Sequence, residues 1–141
     1  MGILSITENK IKYNNYNIQG GIQMINRRLI QREQAMNAIS NGEFESDLLN
    51  SSNRVIVILT QDWCPQWHHM KSWIYQLDIN EDIDIYELEY NNADYFDDFR
   101  SFKENELGNY NVPYLRFYKN GALYRESNYI GESQVIEILD M

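Results

Sequence analysis

The stretch that decides the fold is "VIVILTQDWCPQW", residues 55–67. It begins with β-branched and apolar residues, which is typical of a strand covered on both faces in a helix-flanked sheet. Pro65 suits the first turn of a helix, because that position needs no backbone N–H. Apolar residues then follow at helical spacing from Trp67 to Ile74. The sequence therefore predicts a buried strand that turns into a helix, with the only cysteine, Cys64, at the corner.

Further alternation of strands and helices is predicted after this corner. Residues 83–90, "IDIYELEY", indicate a second strand, and residues 93–107 indicate a helix with its aromatic side chains inward. The dipeptide Asn120-Gly121 separates two short alternating runs, which is the pattern of a β-hairpin. Residues 132–139 indicate a closing helix. This order is a βαβ unit followed by a hairpin and a helix, so we expect a mixed sheet covered by helices.

The chain before this region has a weaker pattern. Polar residues with scattered apolar positions precede Gly20-Gly21 and indicate a strand, a hairpin or a loose arm. Residues 29–42 indicate a helix that stops at Asn41-Gly42, and residues 44–52 a short helix or turn. We therefore divide the chain into an N-terminal extension, residues 1–42, and one domain, residues 43–141.

The composition narrows the class of protein. A length of 141 residues fits one domain, and 43% hydrophobic with 23% charged residues is ordinary for a globular protein. No apolar stretch approaches the roughly 20 residues that span a bilayer, and the N-terminus lacks the pattern of a secretory signal. We therefore expect a cytoplasmic, monomeric protein that does not associate with membranes.

The charge is strongly negative. A formal net charge of −9 disfavours nucleic acid and anionic membranes as partners, because both attract clustered lysine and arginine. Ten acidic residues lie between Glu81 and Glu106, against Arg100 and Lys103. Such a run indicates a solvated face or, alternatively, a docking surface for a basic partner.

A single cysteine excludes an intramolecular disulfide and an all-cysteine zinc site. His68 lies one helical turn after Cys64, where it could accept the thiol proton. The alternative is that His68 and His69 are two exposed helix histidines. No second pair of ligands accompanies the Cys-His pair, so we predict no metal and no cofactor.

Three segments together resemble the thioredoxin family. "VIVILTQDWCPQW" resembles the active-site strand and corner, "NVPYLRFYKNG" (111–121) the segment that holds the cis-proline, and "YIGESQVIEIL" (129–139) the closing strand, glycine and helix. The resemblance spans about residues 43–140. It implies an α/β, thioredoxin-like three-layer fold, with a mixed central sheet flanked by helices and an N-terminal extension.

The resemblance also implies a substrate groove. Trp63, Val112 and Pro113 would form it, and a cis bond before Pro113 would bring the Val112 backbone beside the Cys64 sulfur. In the family this backbone pairs with the bound substrate chain. Pro65 follows the cysteine where the family motif W-C-G-P-C has glycine, so we count it among the residues that could modulate Cys64, together with Trp67 and His68.

The departures from the family affect the chemistry. Trp67 stands where the resolving cysteine belongs, and we expect its indole to pack in the core. Ile58 stands where many members bury an aspartate, and Glu87 lies near a common lysine position. A chain that forms no internal disulfide has no use for a costly buried carboxylate. A dithiol reductase cycle is therefore excluded.

Two functions stay open. In the first, Cys64 lies exposed at a helix N-terminus, which stabilises a thiolate, and attacks a disulfide. The protein is then a monothiol redox protein of cytoplasmic thiol homeostasis, whose mixed disulfide with a protein or a low-molecular-weight thiol is resolved by an external thiol. In the second, Cys64 is buried and inert, and the protein is a catalytically inactive thioredoxin-fold binding or adaptor domain. A peroxidase is disfavoured because Thr60 lies four residues before Cys64, whereas peroxiredoxins place a threonine or serine three before it.

Overall fold

The structure, a computed structural model, describes residues 10–16 and 22–141, with side chains from Ile25 onward. The strands are β1 (Lys10–Tyr16), β2 (Ile22–Leu29), β3 (Arg54–Thr60), β4 (Ile83–Glu89), β5 (Tyr114–Lys119) and β6 (Ala122–Ser127). The helices are α1 (Arg32–Asn41), α2 (Ser46–Leu49), α3 (Pro65–Ile74), α4 (Phe96–Ser101) and α5 (Glu132–Leu139). A short 3₁₀ helix (Tyr90–Asn92) follows β4, and α4 continues into one turn of π-helix (Phe102–Glu106). Gly20 and Gly21, before which a strand or hairpin was predicted, lie outside the described residues.

The strands form one mixed sheet in the order β1-β2-β4-β3-β5-β6. The three central strands β2, β4 and β3 run parallel, and β1, β5 and β6 each run antiparallel to a neighbour. Helices α3 and α5 pack on one face of β3, and α1, α2 and α4 pack on the other. The predicted three-layer α/β fold is confirmed. Within the described part of the chain, no helix has the length and apolar character to cross a membrane.

Local sequence signals agree with several observed boundaries. β3 and α5 occupy the predicted residues, and every β3 residue is buried. Asn120 and Gly121 both have positive φ, 51° and 82°, as the tight turn of a hairpin between β5 and β6 requires. Helix α1 ends at Gly42, also with positive φ. The helix predicted over residues 93–107 instead begins at Phe96 and changes to π geometry.

The boundary predicted between residues 42 and 43 stays a prediction. β2 pairs in parallel with β4, and Ile25 is fully buried in the same core as helix α3. Ala35 and Ala38 of helix α1 are fully buried in the core on the opposite face. Elements from both sides of the predicted boundary thus share one sheet and its two cores.

The acidic residues of β4 correct one expectation. Asp84 and Glu87 are 1% and 3% exposed, so the reading of Glu81 to Glu106 as a solvated face is wrong at these two positions. Arg28 Nε lies 3.3 Å from the Asp84 carboxylate, and Arg27 donates two hydrogen bonds of 2.8 and 3.0 Å to Glu87. The sequence pattern of β4 could not reveal this burial, because the covering arginines come from β2, more than fifty residues earlier.

Candidate functional site

Cys64 lies at the N-terminal end of helix α3. Strand β3 ends at Thr60, four residues turn the chain, and Pro65 is the first helical residue. The His68 N–H donates to the Cys64 carbonyl, with an N–O distance of 3.1 Å, and so closes the first helical turn. The backbone N–H groups of Gln66 and Trp67, which precede that bond, have no partner inside the helix.

Side chains from the segment after β4 fix this corner. The Asp62 N–H donates to Asn91 Oδ1 at 2.9 Å, and Asn91 Nδ2 donates back to Asp62 Oδ1 at 2.8 Å. Asn92 Nδ2 donates to the other carboxylate oxygen of Asp62 at 2.6 Å. His68 Nε2 lies 2.5 Å from the Asp62 carbonyl oxygen. The described hydrogen bond of His68 therefore ties helix α3 to the corner and does not go to the sulfur.

The Cys64 side chain is buried. The residue is 3% exposed, so the expectation of an exposed thiol at this corner is wrong. The segment that precedes Pro113 covers it, and Sγ donates to the Val112 carbonyl oxygen at 3.7 Å. The peptide bond between Val112 and Pro113 is cis. The structure thus brings Cys64 and the Val112 backbone together, while Pro113 is itself buried.

A groove of about 460 Å³ passes the sulfur. Its walls are residues 61 and 63–66 of the corner, Tyr90, Glu104 and residues 110–112. Trp63 and Tyr110 form its exposed rims, with 61% and 67% of their surfaces accessible. Trp63, Cys64, Pro65 and Val112 from the predicted site lie on this groove; Pro113, Trp67 and His68 do not.

Trp67 fills the space beneath the corner. It is fully buried, as predicted, and its indole N–H donates to Glu89 Oε2 at 2.7 Å. Lys71 Nζ lies 3.3 Å from the same oxygen and 5.5 Å from the centre of the indole ring. The position of a second thiol is therefore taken by a large side chain whose one polar atom has a partner.

Solved structures with similar folds were compared with the chain. Thioredoxin O1 and thioredoxin O2 from Arabidopsis thaliana, both in the oxidised state, are 18% and 16% identical to it, and each superposes with a TM-score of 0.57. The match covers 81% of this chain in both cases, and 95% and 91% of the two thioredoxins. The chain has the thioredoxin fold. The short form of thioredoxin F from spinach chloroplast gives a TM-score of 0.55 at 13% identity, over 82% of this chain and 90% of that protein.

Comparisons of the sequence of this thioredoxin-fold protein found no match. No protein-family model matches it, and no curated protein matches it at a significant level. Because the identities to the solved thioredoxins are this low, the likeness establishes the fold alone. The resemblance stated from the sequence is confirmed at that level.

A buried charged group, Glu87, lies next to Ile58. Ile58 is fully buried, and the parallel register places it directly beside Glu87. Glu87 accepts hydrogen bonds from Arg27 and from the Tyr75 hydroxyl. Burial and the neighbouring carboxylate raise the pKa of Tyr75 well above its ordinary value. The Glu87 carboxylate is thus paired with Arg27 of β2 and with Tyr75, which directly follows α3. The sequence analysis did not predict Arg27 as its partner.

Lys103, in the π-helical turn, holds the loop over the sulfur. Its side chain is fully buried, and Nζ donates to the carbonyl oxygens of Asn109 and Asn111, each at 2.8 Å. Burial lowers the pKa of Lys103 to about 8, and the charge of Glu104 acts in the opposite direction. Lys103 therefore anchors the loop that brings Val112 beside Cys64. The sequence analysis had counted Lys103 among the charges of a solvated face.

Other groove residues were also missed. Tyr110 and Asn111 directly precede the Val112-Pro113 pair, so the predicted cis-proline loop contained the signal for them. Glu104 had no such signal, because the sequence does not show which helix face meets the corner. Among the residues that the structure describes, no group of three or more histidine, cysteine, aspartate or glutamate side chains could hold a metal ion.

Proposed function

We propose that the protein is a monothiol thiol–disulfide exchange protein with Cys64 as its nucleophile. The observation that carries the proposal is the position of the single thiol: at the N-terminus of helix α3, in the wall of the groove and against the Val112 backbone. A groove beside a backbone segment offers space for a substrate chain.

The proposed exchange has two steps. The Cys64 thiolate attacks one sulfur of a substrate disulfide; that S–S bond breaks, a mixed disulfide forms, and the other sulfur leaves as a thiolate that takes up a proton. An external thiolate then attacks the substrate sulfur of the mixed disulfide and releases Cys64. Trp67 cannot perform this second step, so the resolving thiol comes from outside. We place the cycle in the cytoplasm, where small thiols are abundant.

Burial adds one requirement to this proposal. The buried Sγ donates to the Val112 carbonyl oxygen at 3.7 Å, so in this proposal the loop shifts to admit a disulfide. A bound chain that pairs with the Val112 backbone would compete for this carbonyl and thereby uncover the sulfur. Binding of the substrate chain and exposure of the Cys64 thiol would then occur together.

The second candidate is a binding or adaptor domain without thiol chemistry. The specific observation that favours it is the 3% exposure of Cys64. In that function the groove binds its partner through Trp63, Tyr110 and the loop backbone, and Cys64 only fills the wall.

Incubation with oxidised glutathione at neutral pH separates the two functions. The native protein should gain one glutathione at Cys64, read by intact mass, and release it to added dithiothreitol. The Cys64→Ser variant, which contains no cysteine, should gain nothing. The rate in native buffer is then compared with the rate in urea. A native rate that only follows the unfolded fraction of the chain would contradict the exchange function and favour the binding domain.

A further inference from the structure

Exposed aromatic side chains gather at one end of the sheet. Trp63, Tyr110 and Tyr129 are 61%, 67% and 38% exposed. Trp63 follows β3, Tyr110 precedes β5 and Tyr129 follows β6. Because β5 runs antiparallel to β3, and β6 antiparallel to β5, these three connections meet at the same end. Single exposed apolar residues are ordinary, but a group of them around a groove marks an interaction surface.

The groove carries one negatively charged side chain and no positively charged one. Glu104 is the one acidic residue among the described residues that line it, and no lysine or arginine lines it. Glu104 is partly buried, and its carboxylate has no hydrogen bond or ion pair with the groups described from Ile25 to Met141. Its charge acts on the neighbouring Lys103, whose amine points away to the loop carbonyl groups. A carboxylate in a groove that two exposed aromatic rings border is suited to a cation.

Most cations near this end of the molecule are already engaged, and Arg100, one helical turn before Glu104, lies over the Phe96 ring at 5.6 Å and does not line the groove. Lys103 points inward to the Asn109 and Asn111 carbonyl groups. Arg32, at the start of α1, lies 3.2 Å from Asp94, and Lys71 lies 3.3 Å from Glu89.

Further acidic residues lie on the segment that contains Glu104. Asp97, Asp98 and Glu106 are exposed, and none of the three forms an ion pair with another described residue. They lie outside the lining of the groove. The net charge of −9 for the whole chain attracts a positively charged partner at long range.

We propose that the groove binds an extended, basic segment of a partner protein, in which a lysine or arginine side chain contacts Trp63 and Tyr110 and pairs with Glu104. This proposal names the class of partner for the proposed thiol-exchange function. It rests on that function for the assumption that the groove is the binding site. Cation–aromatic contacts and exposed ion pairs each change affinity by about two- to fivefold. Together they predict a preference of about tenfold for a basic over an acidic segment.

Binding to the Cys64→Ser protein tests the preference without any thiol chemistry. The probes are two ten-residue peptides with a central serine, flanked on both sides by lysine in one and by glutamate in the other. Calorimetric titration at about 50 mM salt keeps surface charges unscreened over roughly 14 Å. The lysine peptide should bind about tenfold more tightly than the glutamate peptide. Equal affinities of the two peptides would overturn the proposal.

Two further variants locate the charge. Glu104→Gln should weaken binding of the lysine peptide by about threefold, whereas Glu106→Gln, two residues away and outside the groove, should leave it unchanged. An equal loss in both variants would overturn the proposal, because it would show a diffuse field in place of a specific pair.

Trp63→Ala should also weaken binding of the lysine peptide by about threefold, because it removes an aromatic ring from the rim of the groove. An unchanged affinity would contradict binding in the groove.

A parallel experiment with Cys64 intact separates this proposal from the redox function. The same peptides carry a central cysteine as the mixed disulfide with thionitrobenzoate, whose release is coloured. One outcome is that neither peptide releases thionitrobenzoate but the serine peptides keep their tenfold difference in affinity. This result would contradict the thiol-exchange function and support the binding of a basic partner. If both peptides react at equal rates and the serine peptides bind equally, the exchange function stands and the basic partner is overturned.

Discussion

At the scale of single residues, Trp67 explains most clearly how this chain departs from a dithiol protein. A thiol occupies little volume, whereas the indole is among the largest fully buried side chains here and has its N–H bonded to Glu89. The substitution therefore does more than remove a sulfur. It makes the region beneath the corner part of the hydrophobic core.

Trp67→Ala should lower the free energy of unfolding by about 3–5 kcal/mol, because it removes a fully buried aromatic side chain and leaves a cavity. Trp67→Phe keeps most of the packing but leaves Glu89 without its indole donor, at a cost of about 1.5–3 kcal/mol. Urea denaturation followed by far-ultraviolet circular dichroism measures both. Trp63→Ala, at an exposed position, is the matched control and should change stability by no more than about 0.5 kcal/mol. Equal losses for Trp67→Ala and Trp63→Ala would contradict the structural role of Trp67.

The sequence predicted single site residues unevenly. Cys64, Trp63 and Val112 follow from a motif that combines a strand, a corner and a Val-Pro pair. Burial of the Cys64 thiol was one of two alternatives that the sequence left open, because it depends on a loop that Lys103 anchors. A local pattern contains no information on which lysine of a helix turns inward.

At the scale of elements, the π-helical turn after α4 links a helix to the site. One extra residue in a turn changes the direction of the side chains that follow, and π-helical turns are frequent at functional sites. Here the turn contains the buried Lys103 and the groove carboxylate Glu104 side by side. The inward lysine holds the loop, and its neighbour faces the groove.

The stability of the wild type relative to Lys103→Met should increase between about pH 8 and pH 10. The lysine in the unfolded chain keeps its proton up to about pH 10.5, whereas burial lowers the pKa of folded Lys103 to about 8. In that interval the unfolded state binds more protons, so rising pH favours the folded state, and the gain is lost as the pH falls through 8. Urea denaturation of both proteins at several pH values measures the difference.

Lys119→Met, exposed at the end of β5, controls for the loss of one positive charge. A difference between the wild type and Lys103→Met that stays flat or decreases between pH 8 and pH 10 would contradict the buried position of the amine.

Elements with a strong local pattern were predicted closely, and those shaped by distant contacts were not. β3, the Asn120-Gly121 hairpin and α5 follow from apolar runs, turn residues and helical spacing within a few residues. The break of the helix at residues 93–107 and the burial of Asp84 and Glu87 in β4 depend on partners elsewhere in the chain. The arginines of β2 lie in a segment that the sequence reading assigned to an extension.

At the scale of the whole molecule, β2 completes the electrostatics of the sheet. Asp84 and Glu87 of β4 are buried, and Arg28 and Arg27 of β2 neutralise them. A buried carboxylate that loses its cation costs more than the pair contributes. Strand β2 therefore affects the stability of the sheet that follows it.

A chain begun at residue 43, the predicted domain boundary, should lose at least about 3–5 kcal/mol of stability or fail to fold, since Asp84 and Glu87 would lose their arginine partners. A chain begun at residue 22 keeps β2 and should retain most of the stability. Urea denaturation of the two shortened proteins beside the full chain measures this. If the chain begun at residue 43 is as stable as the full chain, the predicted boundary is correct and the β2 ion pairs are dispensable.

The single sulfur beside Trp67 also decides how the protein would respond to a pool of glutathione. In the proposed exchange, one glutathione disulfide would modify Cys64 and one glutathione would release it, so by mass action the modified fraction would follow the ratio of oxidised to reduced glutathione. A protein that closes an internal disulfide consumes two glutathione molecules on reduction, and its oxidised fraction depends on the square of their concentration. Diluting the pool at a constant ratio would oxidise such a dithiol protein and leave this chain unchanged.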